Sequence, residues 1–253
     1  MVYINPVEQF ALIAKLVNIL LFTISAFAIL RQKRDYILNK MYFAAFLCWV
    51  VYIIADAFVF VLLPISPAVH FIGNRLRDIG VIAVLAMAFL IYKSYDIIKG
   101  GQDSINKTRL YIEIGIFAII AVWLVIIDSV QVYDLSYNLI PPEDLPPPGT
   151  NYIVQPDVGI MTLILSAVPF ALFIYTVIML LLLTRKVDKR QLKKKMFLLT
   201  IGIAFIPAGM LYFILVGIPN IYAWWITAIG YTIWTISPIL IWLSQLTSKK
   251  DED

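Results

Sequence analysis

Lys15, Asp56, Asn74, Arg75, Arg77, Asp78, Asp128 and Asp157 are the side chains of this chain that could do chemistry while lying in or beside long apolar runs. They comprise three cations, four carboxylates and one amide. Such groups at bilayer depth are costly, so they face a bundle interior or a wet cavity and either pair with one another or receive a ligand. The densest part is His70-Phe-Ile-Gly-Asn-Arg-Leu-Arg-Asp-Ile-Gly80. At about 100° per residue, with Arg75 at zero, Asp78 falls near 300°, Asn74 near 260°, His70 near 220° and Arg77 near 200°. Gly73 and Gly80 extend this polar arc, while Ile72, Leu76 and Ile79 lie opposite and can meet lipid.

The elements that position these residues follow from composition. Of 253 residues, 62% are hydrophobic and 14% charged, with a mean hydropathy of +0.89. Soluble domains are about half apolar and a quarter charged, so a water-soluble globule is excluded. Apolar runs of about 20 residues predict an all-α membrane protein, a seven-transmembrane helix bundle forming one polytopic membrane domain over 1–253. The spans are expected near 7–30, 41–63, 69–92, 110–130, 158–183, 196–216 and 221–246. The start of the chain has neither a basic region nor a small-residue cleavage site, so the first run is expected to be a retained span.

Seventeen of the twenty Lys and Arg residues fall in connections one, three and five and in the tail. The other three are Lys15, Arg75 and Arg77. The positive-inside rule therefore predicts the N-terminus outside and the C-terminus inside, in a multi-pass cell membrane protein. It also explains the basic balance as a topology signal at an anionic leaflet, with no nucleic acid as partner. The fifth connection, with Arg185, Lys189, Arg190, Lys193, Lys194 and Lys195, is the candidate face for a cytoplasmic signalling protein.

Helical rise places Lys15, Asp56, Arg75, Arg77 and Asp78 about 9–14 Å below one membrane face. Asp128 and Asp157 lie at its rim. This layer is either an ion-pair network fixing helix register, for example Arg75 with Asp56 and Lys15 with Asp78 or Asp128, or an outward-facing pocket for an unknown small ligand or ion. His70, Tyr231 and Trp234 are candidate cavity-lining residues. Glu113 falls near the inner interface, where a solvated side chain explains it. Residues 131–157, with Pro141-Pro-Glu-Asp-Leu-Pro-Pro-Pro-Gly149, are expected to form an extended, polyproline-like outer segment. It would serve either as a lid or as a stiff spacer. Lys40-Met41 and Lys195-Met196 each precede a proline turn at equal separation, a pattern consistent with a 3+1+3 arrangement.

Lysine is absent from the seventh span, which excludes a retinal Schiff base there. A single histidine and a single cysteine leave no metal or haem ligand set, and no hydrolase, phosphate-loop or metalloprotease motif is present. Neither an enzymatic activity nor a cofactor is expected. Leu30-Arg-Gln-Lys-Arg-Asp-Tyr-Ile-Leu-Asn-Lys-Met-Tyr-Phe43, followed by Trp49, Tyr52 and Asp56, together with Asn74-Arg-Leu-Arg-Asp-Ile-Gly80, resembles uncharacterised archaeal seven-span proteins of the sensor and receptor kind. The plan is also similar to the membrane input modules of microbial histidine kinases. That resemblance implies a sensor- or receptor-like protein. No kinase or cyclase domain follows Leu246, so a signal is expected to leave through a separate partner. A small-solute or ion transporter of SWEET-like parallel-repeat type and a structural or accessory subunit are the alternatives.

Overall fold

The computed structural model describes residues 6–32, 34–62, 68–101, 105–126, 130–133, 138–141, 144, 153–156, 160–217 and 224–246. Among these described residues seven helices follow in order: α1 Pro6–Gln32, α2 Ile37–Leu62, α3 Ala68–Gly100, α4 Lys107–Ile126, α5 Ile160–Arg185, α6 Arg190–Gly217 and α7 Trp224–Leu246. Between α4 and α5 lie three short strands, β1 Val130–Tyr133, β2 Leu139–Ile140 and β3 Ile153–Pro156.

Six of the helices are long and apolar enough to cross a membrane. The chain is a multi-pass integral membrane protein. The expected fourth span corresponds to α4, which is not among the six; its 20 residues open with Lys107, Arg109 and Glu113. Surface and interior are distributed as lipid demands. Ile13, Leu20, Ile72, Ile79, Ile119 and Leu215 are exposed, whereas Lys15, Asn18, Asp56, Asp78, Lys93 and Ser237 are buried. Hydroxyls within the helices bond back to carbonyls one turn earlier, as Thr176 does to Leu172, Thr184 to Leu180 and Thr200 to Met196. These three hydroxyls are thereby satisfied without leaving their own helices.

Side-chain contacts give the helix directions. Lys15, Phe22 and Phe27 meet Asp56, Trp49 and Phe43, so α1 and α2 are antiparallel. Asn18, Ser25 and Gln32 meet Thr235, Pro238 and Gln245, so α1 and α7 are parallel. Packing runs α1–α2–α3–α5–α6–α7 and back to α1, a closed ring of six, with α4 outside it against α3 and the edge of α5. Inside the ring Trp234 is an aromatic hub. Its ring lies 5.2 Å from Trp49, 6.2 Å from Tyr52, 4.8 Å from Phe213 and 5.7 Å from Tyr231.

Two expectations change. Helix α3 does not stop near Tyr92 but continues to Gly100 and ends where Gly101 adopts a left-handed φ of 82°. No proline or glycine interrupts residues 81–99, so nothing breaks the helix before the glycine that can take this conformation. Its 33 residues span about 50 Å, well beyond a hydrocarbon core of about 30 Å. Helix α6 likewise begins at Arg190, so Lys193, Lys194 and Lys195 are helical. The second change concerns the segment between α4 and α5, whose ends are hydrogen-bonded. Strand β1 pairs antiparallel with β2 and with β3, in register Val132↔Ile140 and Val132↔Val154. The β-branched residues flanking the proline run favour pleated pairing. Most of the run itself lies outside the described residues.

Close helix approach is specific at Gly209, where an added Cβ would overlap the Trp234 indole, whereas Gly115 has open space around it. Gly209→Ala should therefore lower stability by about 1–3 kcal/mol through overpacking, read as thermal unfolding in detergent, with Gly115→Ala as the control that leaves it unchanged.

Candidate functional site

The inward stripe of α1 repeats every three or four residues as Lys15, Asn18, Phe22, Ser25, Ala26 and Ile29, all buried. On α2 the stripe is Tyr42, Phe46, Trp49, Ile53 and Asp56. Lys15 and Asp56 therefore share the faces that make the core and have no route to lipid. On α3, Gly73 and Gly80 are buried one turn on either side of Arg77. An added Cβ at Gly80 would stand 3.3 Å from Tyr52 Cδ2 and 3.4 Å from the Ala55 Cβ. Glycine there lets α3 approach α2 closely enough for Arg77 to reach across.

These three helices place Asp56 between two cations. Lys15 Nζ lies 2.8 Å from Asp56 Oδ2, and Arg77 donates from Nη1 to Asp56 Oδ1 at 2.6 Å. Lys15 Nζ also lies 3.4 Å from the Asp56 carbonyl oxygen. Aromatic faces complete the surroundings, with Lys15 5.8 Å from the Tyr231 centroid and Arg77 5.8 Å from that of Tyr52. Lys15 is sealed at 1% side-chain exposure, while Arg77 keeps 20%. Pairing on both carboxylate oxygens is what makes this burial tolerable.

The other expected members divide. Arg75 pairs with Asp78 on its own helix at 3.0 Å and is half exposed. Among the described residues the ion pairs of this layer are Arg77–Asp56, Lys15–Asp56 and Arg75–Asp78, in place of the expected Arg75 with Asp56 and Lys15 with Asp78, while the alternative of Lys15 with Asp128 lies outside the described residues. The physical reason is register: Arg77 shares the glycine-lined face against α2, and Arg75 stands one turn before Asp78 on another face. Tyr231 and Trp234 are buried in the aromatic hub directly beside the trio. Asp128 and Asp157 lie outside the described residues, as do the side chains of His70 and Asn74. On the expected partner face Arg185, Lys189, Arg190, Lys193 and Lys194 are exposed, while Lys195 donates to Gln32 Oε1 at 3.2 Å.

A second charged cluster sits near the far end of α3. Lys93, whose side chain is 4% exposed, pairs with Asp96 at 3.2 Å and with Glu113 on α4. Arg109 joins Glu113 at 2.9 Å and donates to the Tyr92 hydroxyl. The pKa of Arg109, at the start of α4, is raised above the ordinary arginine value, first by its hydrogen bond to Glu113 and then by Tyr92. Asn106 caps α4 by accepting from the Arg109 amide at 3.2 Å. The sequence places Lys93 in the third connection and explains Glu113 as a solvated side chain. Both are instead members of the clasp that holds α4 to the ring. The i,i+3 spacing of Lys93 to Asp96 and the i,i+4 spacing of Arg109 to Glu113 were the available signals.

Three further polar atoms, Asn18 Oδ1, Trp49 Nε1 and Ser237 Oγ, are buried without a hydrogen-bond partner. Among the described residues no group of three or more His, Cys, Asp or Glu could hold a metal ion. No protein-family model matches the chain, and comparison with curated proteins finds no match.

Asp56→Asn leaves both Lys15 and Arg77 without their carboxylate, whereas Lys15→Met leaves Asp56 still paired with Arg77. Asp56→Asn is accordingly expected to cost the larger amount, about 3 kcal/mol, in thermal unfolding of the detergent-solubilised protein. Equal losses from the two variants would show that Asp56 does not bridge the cations.

Proposed function

We propose that this protein is a sensor- or receptor-like integral membrane protein in which one rigid helix connects a ligand-responsive ionic layer to a basic, partner-facing end. The observation that carries this reading is that α3 bears both charged clusters. Arg77 belongs to the trio with Lys15 and Asp56, and Lys93 belongs to the clasp with Glu113. They are separated by 16 positions, or about 24 Å along the helix. Disturbing the trio changes how α3 sits against α1 and α2, and the same rigid element carries α4 through the clasp. Coupling of this type needs a two-state element biased from both sites.

In this reading all seven helices cross the bilayer, with the N-terminus outside and the C-terminus inside. The charge bias supports it even with Lys93 assigned to the clasp, because the remaining loop and tail cations still lie on one side. The paired strands between α4 and α5, of which β1 packs against α3, then lie on the outer face. The exposed basic residues from Arg185 to Lys194 face the cytoplasm and receive a signalling protein. The protein binds and transmits; no catalysis is assigned to it.

Transport is the competing reading. Helices α1–α3 and α5–α7 each pack consecutively, with α4 outside, as a 3+1+3 arrangement of parallel repeats requires. Prolines within α5, α6 and α7 add sites for hinging. The charged trio, however, has no counterpart in the second triplet, where positions 170, 211 and 232, shifted by the Lys40-to-Lys195 offset, are Phe, Leu and Thr.

The two readings separate experimentally. With Cys48 replaced by Ser, spin labels at Lys99→Cys and Tyr111→Cys report the distance between the α3 end and α4. Adding Asp56→Asn should shift or broaden that distribution. An unchanged distribution in protein that remains folded removes the coupling, and Arg77-dependent solute uptake into proteoliposomes would establish transport in its place.

A further inference from the structure

Arg77 is incompletely used by its partners. Both oxygens of Asp56 are engaged, Oδ2 by Lys15 and Oδ1 by Arg77 Nη1. Asp56 therefore cannot clasp the guanidinium with two parallel bonds. Arg77 donates to Asp56 from Nη1 and is also hydrogen-bonded to the Tyr52 hydroxyl oxygen, so two of its five N–H groups are accounted for among the described residues. The edge formed by Nε and Nη2 carries a pair of N–H groups in the fork geometry that matches a carboxylate. The plane of that fork is steadied by the Tyr52 ring, whose centroid lies 5.8 Å from Arg77 Cζ. The Tyr52 hydroxyl lies beside the same guanidinium and can donate to an arriving oxygen. Arg77 is also the accessible cation of the trio, at 20% side-chain exposure against 1% for Lys15.

A buried donor lies in the indole that packs on Tyr52. Trp49 is fully buried, its ring centroid is 4.9 Å from that of Tyr52, and its Nε1–H has no acceptor. A buried donor left in this state costs free energy.

We propose that the Nε–Nη2 edge of Arg77, together with the Tyr52 hydroxyl, is the receiving site for the carboxylate of a small organic acid. The carboxylate completes the guanidinium's hydrogen bonding and loosens its hold on Asp56, which is the event that the sensor reading needs at this end of α3. The inference rests on that reading for its consequence, but not for its binding chemistry. A carboxylate is favoured over a spherical anion because two parallel N–H groups reward two oxygens held at fixed separation.

The test uses the full-length protein in lipid nanodiscs, with acetate, propionate and lactate as probes and chloride as the spherical control. Tryptophan emission serves as the readout, since Trp49 and Trp234 both contact Tyr52. Saturable binding of at least one carboxylate is expected, weakened about tenfold by Arg77→Lys, which keeps the charge and loses the fork, and abolished by Arg77→Met. Asp56→Asn removes the built-in competitor and should bind the same probe more tightly. Thermal unfolding of each variant separates lost binding from lost folding, and Arg77→Lys decides if Arg77→Met does not fold. Absence of saturable binding by the unmodified protein, equal affinity in Arg77→Met, or chloride binding as strongly as the carboxylates would overturn the proposal. Carboxylate binding with no change in the Lys99–Tyr111 label distance would uphold the site and remove the sensor reading. A distance change on Asp56→Asn without carboxylate binding would do the reverse.

Discussion

An ionised carboxylate inside a lipid-embedded bundle must be paired, and Asp56 meets that constraint from two sides at once. One oxygen takes Lys15 from α1, the other takes Arg77 from α3, and the backbone of α2 carries the carboxylate between them. Lipid offers apolar side chains no reason to seek one another, so hydrophobic burial alone does not fix how these helices pair. The trio supplies that specificity. It sets the heights of α1 and α3 against α2, and Gly80 permits the closeness it requires. The aromatic hub around Trp234 then fills the space beneath it.

The same constraint organises the other end of α3. Lys93 is buried because Asp96 and Glu113 accept its charge, and Glu113 in turn holds Arg109. Helix α4 lies outside the ring and presents mostly exposed apolar residues. Its ionic clasp, with the Phe89–Phe117 ring contact at 4.7 Å, is thus a large part of what attaches it. One continuous helix with an ionic junction at each end is a mechanical arrangement as well as a packing one. The helix is continuous from Arg77 to Lys93, so no joint separates the two clusters.

Glycine and tryptophan make the second half of the ring specific by shape instead of charge. Gly202, Gly209 and Gly230 each sit where a side chain would collide, with Ile241, Trp234 and Phe213 respectively. Trp234 Nε1 donates to the Ile206 carbonyl at 3.2 Å, next to Pro207, and Ser25 Oγ donates to the Pro238 carbonyl at 3.0 Å. Two interhelical hydrogen bonds thus fall beside prolines of α6 and α7.

Membrane class, the set of long helices and the inward placement of Arg77 and Asp78 on α3 were legible from the chain alone. They depend on composition and on helical period, which are local quantities. Lys15, Asp56 and Arg77 were legible as candidates for one layer for the same reason, since they interrupt apolar runs at matching depth. Which cation meets which carboxylate was not legible. Arg75 and Arg77 differ by two residues but by about 200° around the helix, and only the packed position of α2 selects Arg77. Nor were the burial of Lys93 and the strand pairing between α4 and α5 readable, because each requires knowing what lies alongside. Sequence by itself determined which residues leave water, because that is a transfer property of each segment. Tertiary structure decided their partners, because pairing depends on the rotation and height of one helix against another, and no single helix contains that information.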